Sequence, residues 1–154
     1  MTAEKVPARR SPRLAEQLCF AIYETGHAFS RLYRSVLADL GLTYPQYLAM
    51  LVLWEEDGLT VKAVGERLSL DSGTLTPLLK RLEAAGLIRR ERGRADERQV
   101  FLHLTPAGVA LREKGGCVPE AMGKAIGDAL SPDGRLLADL ARLRSALRKA
   151  ADRD

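Results

Sequence analysis

The sequence predicts a mainly α-helical (α+β) fold, a winged helix-turn-helix with a helical dimerisation region, built from six helices and a two-stranded wing. Three observations predict it. Apolar residues recur at steps of three and four through most of the 154-residue chain. A tight turn joins two short helices near its middle. Directly after the second of these helices the pattern changes to strict alternation, which is typical of a β-hairpin.

Composition limits the classes of protein open to this chain. Apolar residues make up 46% and charged residues 29%, with a formal net charge of +4, so the chain is globular and tolerates a polyanionic partner without requiring one. It has no apolar run of 18 residues, which excludes a membrane span. The first ten residues are polar and basic, so we expect a cytoplasmic protein. Two distant cysteines and two histidines predict neither a disulfide framework nor a metal site, and we expect no cofactor.

The first helix is the longest of the six. Residues 1–10 read as a flexible basic arm, and Ser11 and Pro12 suit the N-cap and the first position of a helix. The helix ends near Gly41. Its apolar stripe consists of Leu14, Leu18, Ile22, Thr25, Phe29, Leu32, Val36 and Leu40. A compact monomer cannot cover so long a stripe, so we expect part of it to be an association surface.

Three helices and a hairpin form the predicted middle domain. The second helix starts at Tyr44 and stops at Gly58, Thr60 caps a short third helix, and residues 69–71 form the turn before the fourth. Strands at residues 88–92 and 99–104 flank a charged loop at 93–98.

Pro77 conflicts with the fourth helix, whose inward residues are Leu75, Leu78, Leu79 and Leu82. Inside a helix, proline removes a backbone hydrogen bond and crowds the carbonyl of Gly73. The helix therefore begins near Thr76, or it begins earlier and bends.

Two more helices complete the predicted fold. Thr105 and Pro106 open the fifth, which Gly115 and Gly116 weaken and Pro119 can kink, and Ser131 with Pro132 opens a sixth carrying a leucine stripe. We assign residues 11–43 and 105–154 to a helical dimerisation region and residues 44–104 to the winged helix-turn-helix domain.

The middle domain suits DNA. A helix of this kind fits the major groove, and the hairpin loop reaches flanking phosphates or the minor groove. Residues 60–98 contain nine basic and six acidic residues. The outward side of the fourth helix carries Ser72, Gly73, Thr76 and Lys80, and the hairpin carries Arg89, Arg90, Arg92, Arg94 and Arg98. A helical bundle with a solvated hairpin, or a winged domain that binds protein, stays open.

The two cysteines allow two interpretations. Cys19 falls in the predicted second or third turn of the first helix, where the positive helix end favours a thiolate. Cys117 follows two glycines and could condense with an oxidised thiol. A free cysteine is also commonly a small buried apolar residue. Tyr23, Tyr33, Tyr44 and Tyr47 are expected to be core or interface residues, and His27 and His103 to be structural or exposed.

Five short segments carry a resemblance to a known family. They are residues 17–20, 42–48, 71–81, 96–98 and 104–105. Over residues 14–148 the chain resembles the MarR family, and within it the organic-hydroperoxide regulators called OhrR. The early cysteine and the Thr-Tyr-Pro-Gln-Tyr run at 43–47 are the features that resemble this branch.

The resemblance implies a homodimeric repressor, not an enzyme, that binds an inverted-repeat operator in double-stranded DNA. By this resemblance Arg98 enters the minor groove, and Asp96 orients either Arg98 or a helix arginine such as Arg81. The full set of DNA-binding residues we assign is Ser72, Gly73, Thr74, Thr76, Pro77, Lys80, Arg81, Arg94, Asp96 and Arg98.

The resemblance also assigns the redox residues. Cys19 becomes the thiol that an organic hydroperoxide oxidises, Tyr33 and Tyr44 hold its thiolate across the dimer, and Cys117 of the other subunit resolves the oxidised sulfur as a disulfide. The alternative is a MarR-type repressor controlled by a small phenolic ligand, with Cys19 merely buried. A thiol peroxidase is the enzyme alternative, but it would have no use for a DNA-reading segment.

Overall fold

The computed structural model describes residues 13–130 and 133–152. The expected arm at 1–10 and the expected helix starts at residues 11–12 and 131–132 lie outside them. Within the described ranges the chain forms seven α-helices and two β-strands. They are α1 Leu18–Val36, α2 Tyr44–Glu55, α3 Val61–Leu68, α4 Ser72–Ala84, β1 Ile88–Arg92, β2 Val100–Leu104, α5 Pro106–Gly115, α6 Val118–Ile126 and α7 Arg135–Ala151. The predicted winged helix-turn-helix fold class is confirmed. None of these helices is long and apolar enough to cross a membrane.

The chain divides into two compact units, Met1–Glu113 and Lys114–Asp154. In the first unit, α2 is the central helix, and it contacts α1, α3, α4 and β2. Six of its twelve residues are buried, because α2 is apolar on nearly every side. The core around it contains Leu37, Val64, Leu75, Leu79, Leu82, Ile88 and Leu102.

The hairpin is antiparallel, pairing Ile88 with Leu104 and Arg92 with Val100. A segment before α3 adds backbone hydrogen bonds to the other edge of β2: the Gly58 N–H donates to the Leu102 carbonyl at 3.0 Å, and the Leu102 N–H donates to the Leu59 carbonyl at 2.8 Å. Sequence periodicity did not predict this third strand-like segment. It covers the edge of β2 and fixes the wing to the helices.

The long first helix is interrupted. A 3-10 turn, Leu14–Glu16, precedes α1, and a second one, Ala38–Leu40, follows it. Gln17 separates the first turn from α1 with extended backbone angles, φ −90° and ψ 119°. Cys19 is therefore the second residue of α1, and our placement of it in the second or third turn was wrong.

Helix α4 begins at Ser72 and continues through Pro77. Of the two alternatives for this segment, the early start is the one observed. Asp71 is the N-cap residue of α4, and its hydrogen bond from the Thr74 backbone N–H stabilises a helix start upstream of Pro77. The helix ends at Ala84, and Gly86, just beyond its C-cap, has a φ of +71°, the left-handed conformation that glycine adopts readily.

The predicted fifth helix is broken into two. α5 ends at Gly115, and α6 begins at Val118 with Cys117 as its N-cap residue. Pro119 lies in the first turn of α6, where proline is tolerated because its missing N–H has no helical partner there. In the second unit, α7 has no buried residue, and Leu136, Leu137, Leu140 and Leu147 are exposed along it.

Candidate functional site

Helix α4 has one buried and one solvent-facing side. Leu75, Leu78, Leu79 and Leu82 are buried, which orients the helix on the core. Every residue that we assigned to DNA on this helix is exposed: Ser72, Gly73, Thr74, Thr76, Pro77, Lys80 and Arg81. The exposed side thus carries small hydrogen-bonding groups near its N-terminus and two cations farther along.

Asp71 holds the first turn of α4 in place. The backbone N–H of Thr74 donates to its carboxylate at 2.9 Å, and the Thr74 hydroxyl donates at 3.0 Å. The hydrogen bond from the Thr74 backbone is the main reason that the pKa of Asp71 lies below its ordinary value of 3.8.

This pKa shift predicts an acid-sensitive helix start. A depressed carboxyl pKa contributes stability that is present above 3.8 and is lost as the pH falls through the lower folded value. We therefore expect the amide resonance of Thr74 to titrate with a midpoint below pH 3.8. Asp71→Asn is the matched control, because asparagine also caps a helix but does not titrate. An equal shift in the Asn variant would show that another group is responsible.

The wing loop positions Arg98. The Arg98 side chain donates from Nε to Asp96 Oδ1 at 3.0 Å, and the Arg98 backbone N–H donates to the same oxygen at 3.0 Å. The hydrogen bond from the Arg98 side chain holds the pKa of Asp96 below its ordinary range. The Arg98 side chain is still 90% exposed. Of the two arginines that Asp96 was expected to orient, it contacts Arg98.

A second ion pair ties the wing to α4. Arg90, on β1, donates from Nε to Glu83 Oε2 at 2.7 Å, and this hydrogen bond lowers the pKa of Glu83. Both side chains are about one-third exposed, at 33% and 35%. Arg94 is exposed in the loop. The pKa of Glu91 lies below its ordinary value mainly because of the hydrogen bond from Arg89, and Arg94 makes the smallest contribution.

Both cysteines are free and exposed. Cys19 lies in the first turn of α1, where backbone N–H groups lack helical partners and the helix end favours an anion. Cys117 lies between α5 and α6, and its thiol donates to the Lys114 carbonyl at 2.9 Å. No group of metal-ligating side chains that could hold a metal ion occurs among the described residues.

Tyr33 and Tyr44 stack face to face, with ring centroids 4.1 Å apart and planes inclined by 20°. Burial, and to a lesser extent Tyr44, raises the pKa of Tyr33 above its ordinary 10.0. The Tyr33 hydroxyl therefore keeps its proton at neutral pH and can donate a hydrogen bond. Tyr47 is buried in the core, as expected, whereas Tyr23 is exposed and contacts the His27 ring.

The chain is similar to several known transcriptional regulators. The family described as transcriptional regulator SarA/Rot matches residues 31–114, more than half of the chain. The HTH-type transcriptional regulator TtmR of Methylorubrum extorquens is 56% identical over 138 residues, covering 90% of this chain and 71% of that protein. The organic hydroperoxide resistance transcriptional regulator of Bacillus subtilis is 47% identical over 135 residues, covering 88% of this chain and 87% of the relative.

The solved structure of reduced AbfR bound to DNA is 37% identical, with a TM-score of 0.79, and the match covers 90% of this chain and 95% of AbfR. The chain belongs to the MarR family of transcriptional regulators. The MarR-family resemblance stated from five short segments is thereby confirmed, and the relatives are regulators rather than enzymes. AbfR has also been solved in an overoxidised and a disulfide-formed state.

The structure contains contacts that the sequence did not predict. The wing ion pair between Glu83 and Arg90 was not predicted, because the two residues share no helix or strand. The same holds for a hydrogen bond from the Trp54 indole to the Gly108 carbonyl, 54 positions away. The Thr-Pro pair at 105–106 predicted a helix start, but it carried no signal for the hydrogen bond from the Thr105 hydroxyl to the Gly86 carbonyl.

Proposed function

We propose that this MarR-family regulator is a redox-sensing repressor that binds an inverted repeat in double-stranded DNA as a homodimer. Organic hydroperoxide oxidises Cys19, and the repressor leaves its operator. The observation that carries the proposal is an exposed thiol in the first turn of α1 on the same helix face as Tyr33. The Bacillus subtilis relative, named for organic hydroperoxide resistance, and the redox states of AbfR support it.

Residues 44–104 form the DNA-reading domain in this proposal. The exposed side of α4 lies in the major groove, where Ser72, Thr74, Thr76 and Lys80 reach base edges and phosphates. Arg94 and Arg98 contact the flanking backbone and the minor groove. Because Asp96 already accepts two hydrogen bonds from the Arg98 guanidinium, less side-chain freedom is lost on binding.

Helix α1 separates the sensing thiol from its own tyrosines. Cys19, Gly26 and Tyr33 follow one another at steps of seven residues, so they share one face of the helix. At a rise of 1.5 Å per residue, Cys19 and Tyr33 lie about 21 Å apart along the axis. A hydrogen bond from Tyr33 to the Cys19 thiolate within one chain is therefore impossible, and a second copy must supply it.

Gly26 lies midway between these two residues. If two α1 helices cross antiparallel at Gly26, Cys19 of one copy lies opposite Tyr33 of the other. A Cβ at Gly26 would find nothing within 4 Å in this chain, so the position leaves room for a close approach. Tyr44, stacked on Tyr33, then completes the thiolate site. The exposed Leu18 and Ile22 on α1 and the exposed leucines of α7 support our proposal that residues 11–43 and 105–154 form the dimer interface.

The chemistry balances with one peroxide per disulfide. The Cys19 thiolate attacks one peroxide oxygen, the O–O bond breaks, and the alkoxide leaves as an alcohol after taking a proton. The Cys19 sulfur is oxidised to a sulfenic acid. The Cys117 sulfur of the second subunit then attacks the sulfenic sulfur, forming the S–S bond and releasing water. A thiol reductant restores both cysteines.

Disulfide formation explains release through geometry. The bond needs Cα atoms about 4.4–6.8 Å apart. The two copies of α4 in the dimer, which are its recognition helices, must match half-sites roughly 34–36 Å apart, one turn of DNA. If the two cysteines lie farther apart than the bond allows in the reduced dimer, closing the bond moves the dimer helices, and a shift of several ångströms spoils the match.

Replacing Cys117 by serine tests the proposed function directly. We expect the wild-type dimer to become covalently crosslinked by an organic hydroperoxide and the Cys117→Ser protein to stay uncrosslinked on a non-reducing gel. Cys19 of that variant should still form a sulfenic acid, detected as a mass increase after trapping. Crosslinking that persists in Cys117→Ser would disprove the resolving role, and absence of crosslinking in the wild type would disprove the disulfide mechanism.

Replacing Arg98 by alanine tests the wing. We expect weaker operator binding and a salt dependence reduced by about one phosphate contact, because each neutralised phosphate contributes roughly 0.9 to the slope of log K against log salt. Arg13→Ala is the matched control, since it removes the same charge from an exposed residue outside the wing. Equal salt slopes in Arg98→Ala and Arg13→Ala would mean that the wing does not touch DNA.

A further inference from the structure

We propose that the Thr105 hydroxyl rigidly links the end of the recognition helix α4 to the start of α5, so that α4, the wing and α5 move as one body. We call this link the joint. Thr105 is a positioning residue in this view, since it contacts neither DNA nor oxidant. The proposal rests on the proposed function and names the part that carries a change at the cysteines to the DNA-reading surface.

Thr105 bonds to both helices at once. Its hydroxyl accepts from the Gly108 N–H at 3.1 Å, which caps the first turn of α5. The same hydroxyl donates to the carbonyl of Gly86 at 2.5 Å, and the Thr105 backbone N–H donates to the carbonyl of Leu87 at 3.1 Å. One side chain thus joins the cap of α5 to the loop between α4 and β1.

The loop that Thr105 contacts is itself fixed to α4. The Gly86 N–H donates to the Glu83 carbonyl at 2.9 Å, and the Leu87 N–H donates to the Leu82 carbonyl at 3.1 Å. This pair of bonds is the Schellman pattern that closes a helix C-terminus. Thr105 therefore binds the closed end of α4 rather than a loose connection.

Gly108 tightens the same joint. A Cβ placed on Gly108 would lie 2.1 Å from the Leu87 carbonyl oxygen, so the first turn of α5 lies directly on the backbone of the α4–β1 loop. The Gly108 carbonyl accepts from the Trp54 indole at 2.9 Å, and this bond is buried. Helix α2 is thereby tied to the same turn, and its own start carries Tyr44.

The joint lies at one end of α5, and the other end of α5 leads to a cysteine. α5 ends at Gly115, and Cys117 follows after one intervening residue. A displacement imposed on Cys117 reaches α5 through the chain itself. With the joint intact, α4 and the wing must follow α5, because the hydrogen bonds of Thr105, the buried bond from Trp54 to Gly108 and backbone-on-backbone packing resist separation.

The test compares Thr105→Val with Thr105→Ser. Valine keeps the branched shape and removes both hydroxyl bonds, whereas serine keeps the hydroxyl. Operator affinity is measured before and after peroxide treatment on a duplex selected in vitro by the wild-type protein. The amount of Cys19–Cys117 disulfide is determined by mass spectrometry in the same samples. Allosteric couplings typically change an affinity by about 5–150-fold. At an equal amount of disulfide, we expect peroxide treatment to weaken the operator affinity of Thr105→Val by less than about 3-fold.

Thr105→Ser should release DNA as the wild type does, and this rescue shows that the hydroxyl is the active part of the side chain. Full release by Thr105→Val at an equal amount of disulfide would overturn the joint. A wild type that forms no disulfide, or forms it and keeps its DNA, would instead disprove the proposed redox mechanism.

If the wild type forms no disulfide, or forms it and keeps its DNA, hydrogen exchange tests the joint instead. DNA binding should slow amide exchange in the first turn of α5 in the wild type and in Thr105→Ser, but not in Thr105→Val. Equal protection of that turn in all three proteins would overturn the proposal, and its loss in Thr105→Val alone would support it.

Discussion

The Cys19→Ser variant is expected to bind its operator like the wild type and to remain bound in the presence of organic hydroperoxide. Serine is close in size to cysteine and Cys19 is exposed, so the fold should tolerate the change. A hydroxyl does not form the sulfenic acid on which release depends. The measurement is the fraction of operator retained in a mobility-shift assay as the peroxide concentration rises.

The comparison variant is Cys117→Ser, which cannot form the disulfide and is therefore also expected to stay bound, but which still forms a sulfenic acid at Cys19. Release of Cys19→Ser by peroxide would reject Cys19 as the sensor. Release of both serine variants by a phenolic compound, with no response to peroxide in the wild type, would favour a repressor controlled by a small ligand.

The second large effect is expected at Gly108. An alanine there places its Cβ 2.1 Å from the Leu87 carbonyl oxygen, and a backbone atom cannot move aside as a side-chain end can. We expect Gly108→Ala to lower the free energy of unfolding by about 3 kcal/mol, at the upper end of the usual cost of overpacking. Chemical denaturation followed by circular dichroism measures this change.

Gly123→Ala is the matched control, because Gly123 lies in α6 and has nothing within 4 Å of the added methyl group. Alanine in a helix interior is favoured over glycine by about 1 kcal/mol, so this variant should be slightly more stable than the wild type. Equal stability of the two variants would show that the close approach at Gly108 costs nothing.

Local patterns in the sequence were sufficient to predict the middle domain. Helix spacing, the Thr60 cap, the turn at residues 69–71 and the change to alternation at Ile88 all arise from residues near one another in the chain. Start positions were harder. Gln17 interrupts the apolar stripe of the first helix by its backbone angles alone, and no residue type there signals a break.

The features that hold the domain together were not predictable for a different reason. The bond from Trp54 to Gly108, the strand-like segment beside β2 and the second partner of Thr105 all join residues far apart in sequence. Periodicity describes one element at a time. It shows which side of α4 faces solvent, but not which residues of other elements contact its C-terminal end. The site residues taken from the resemblance stay predictions until the variants are measured.

The spacing of Cys19 and Tyr33 along α1 has a consequence for how an oxidant signal scales with protein abundance. Because Cys19 and Tyr33 of a lone subunit lie about 21 Å apart along the axis of α1, dilution would remove the reactive sulfur and the operator-binding form together. At low expression, the concentration of the peroxide-responsive dimer would then grow with the square of the subunit concentration. A mixed dimer in which one subunit carries Tyr33→Phe would keep one fully supported thiol and impair the other.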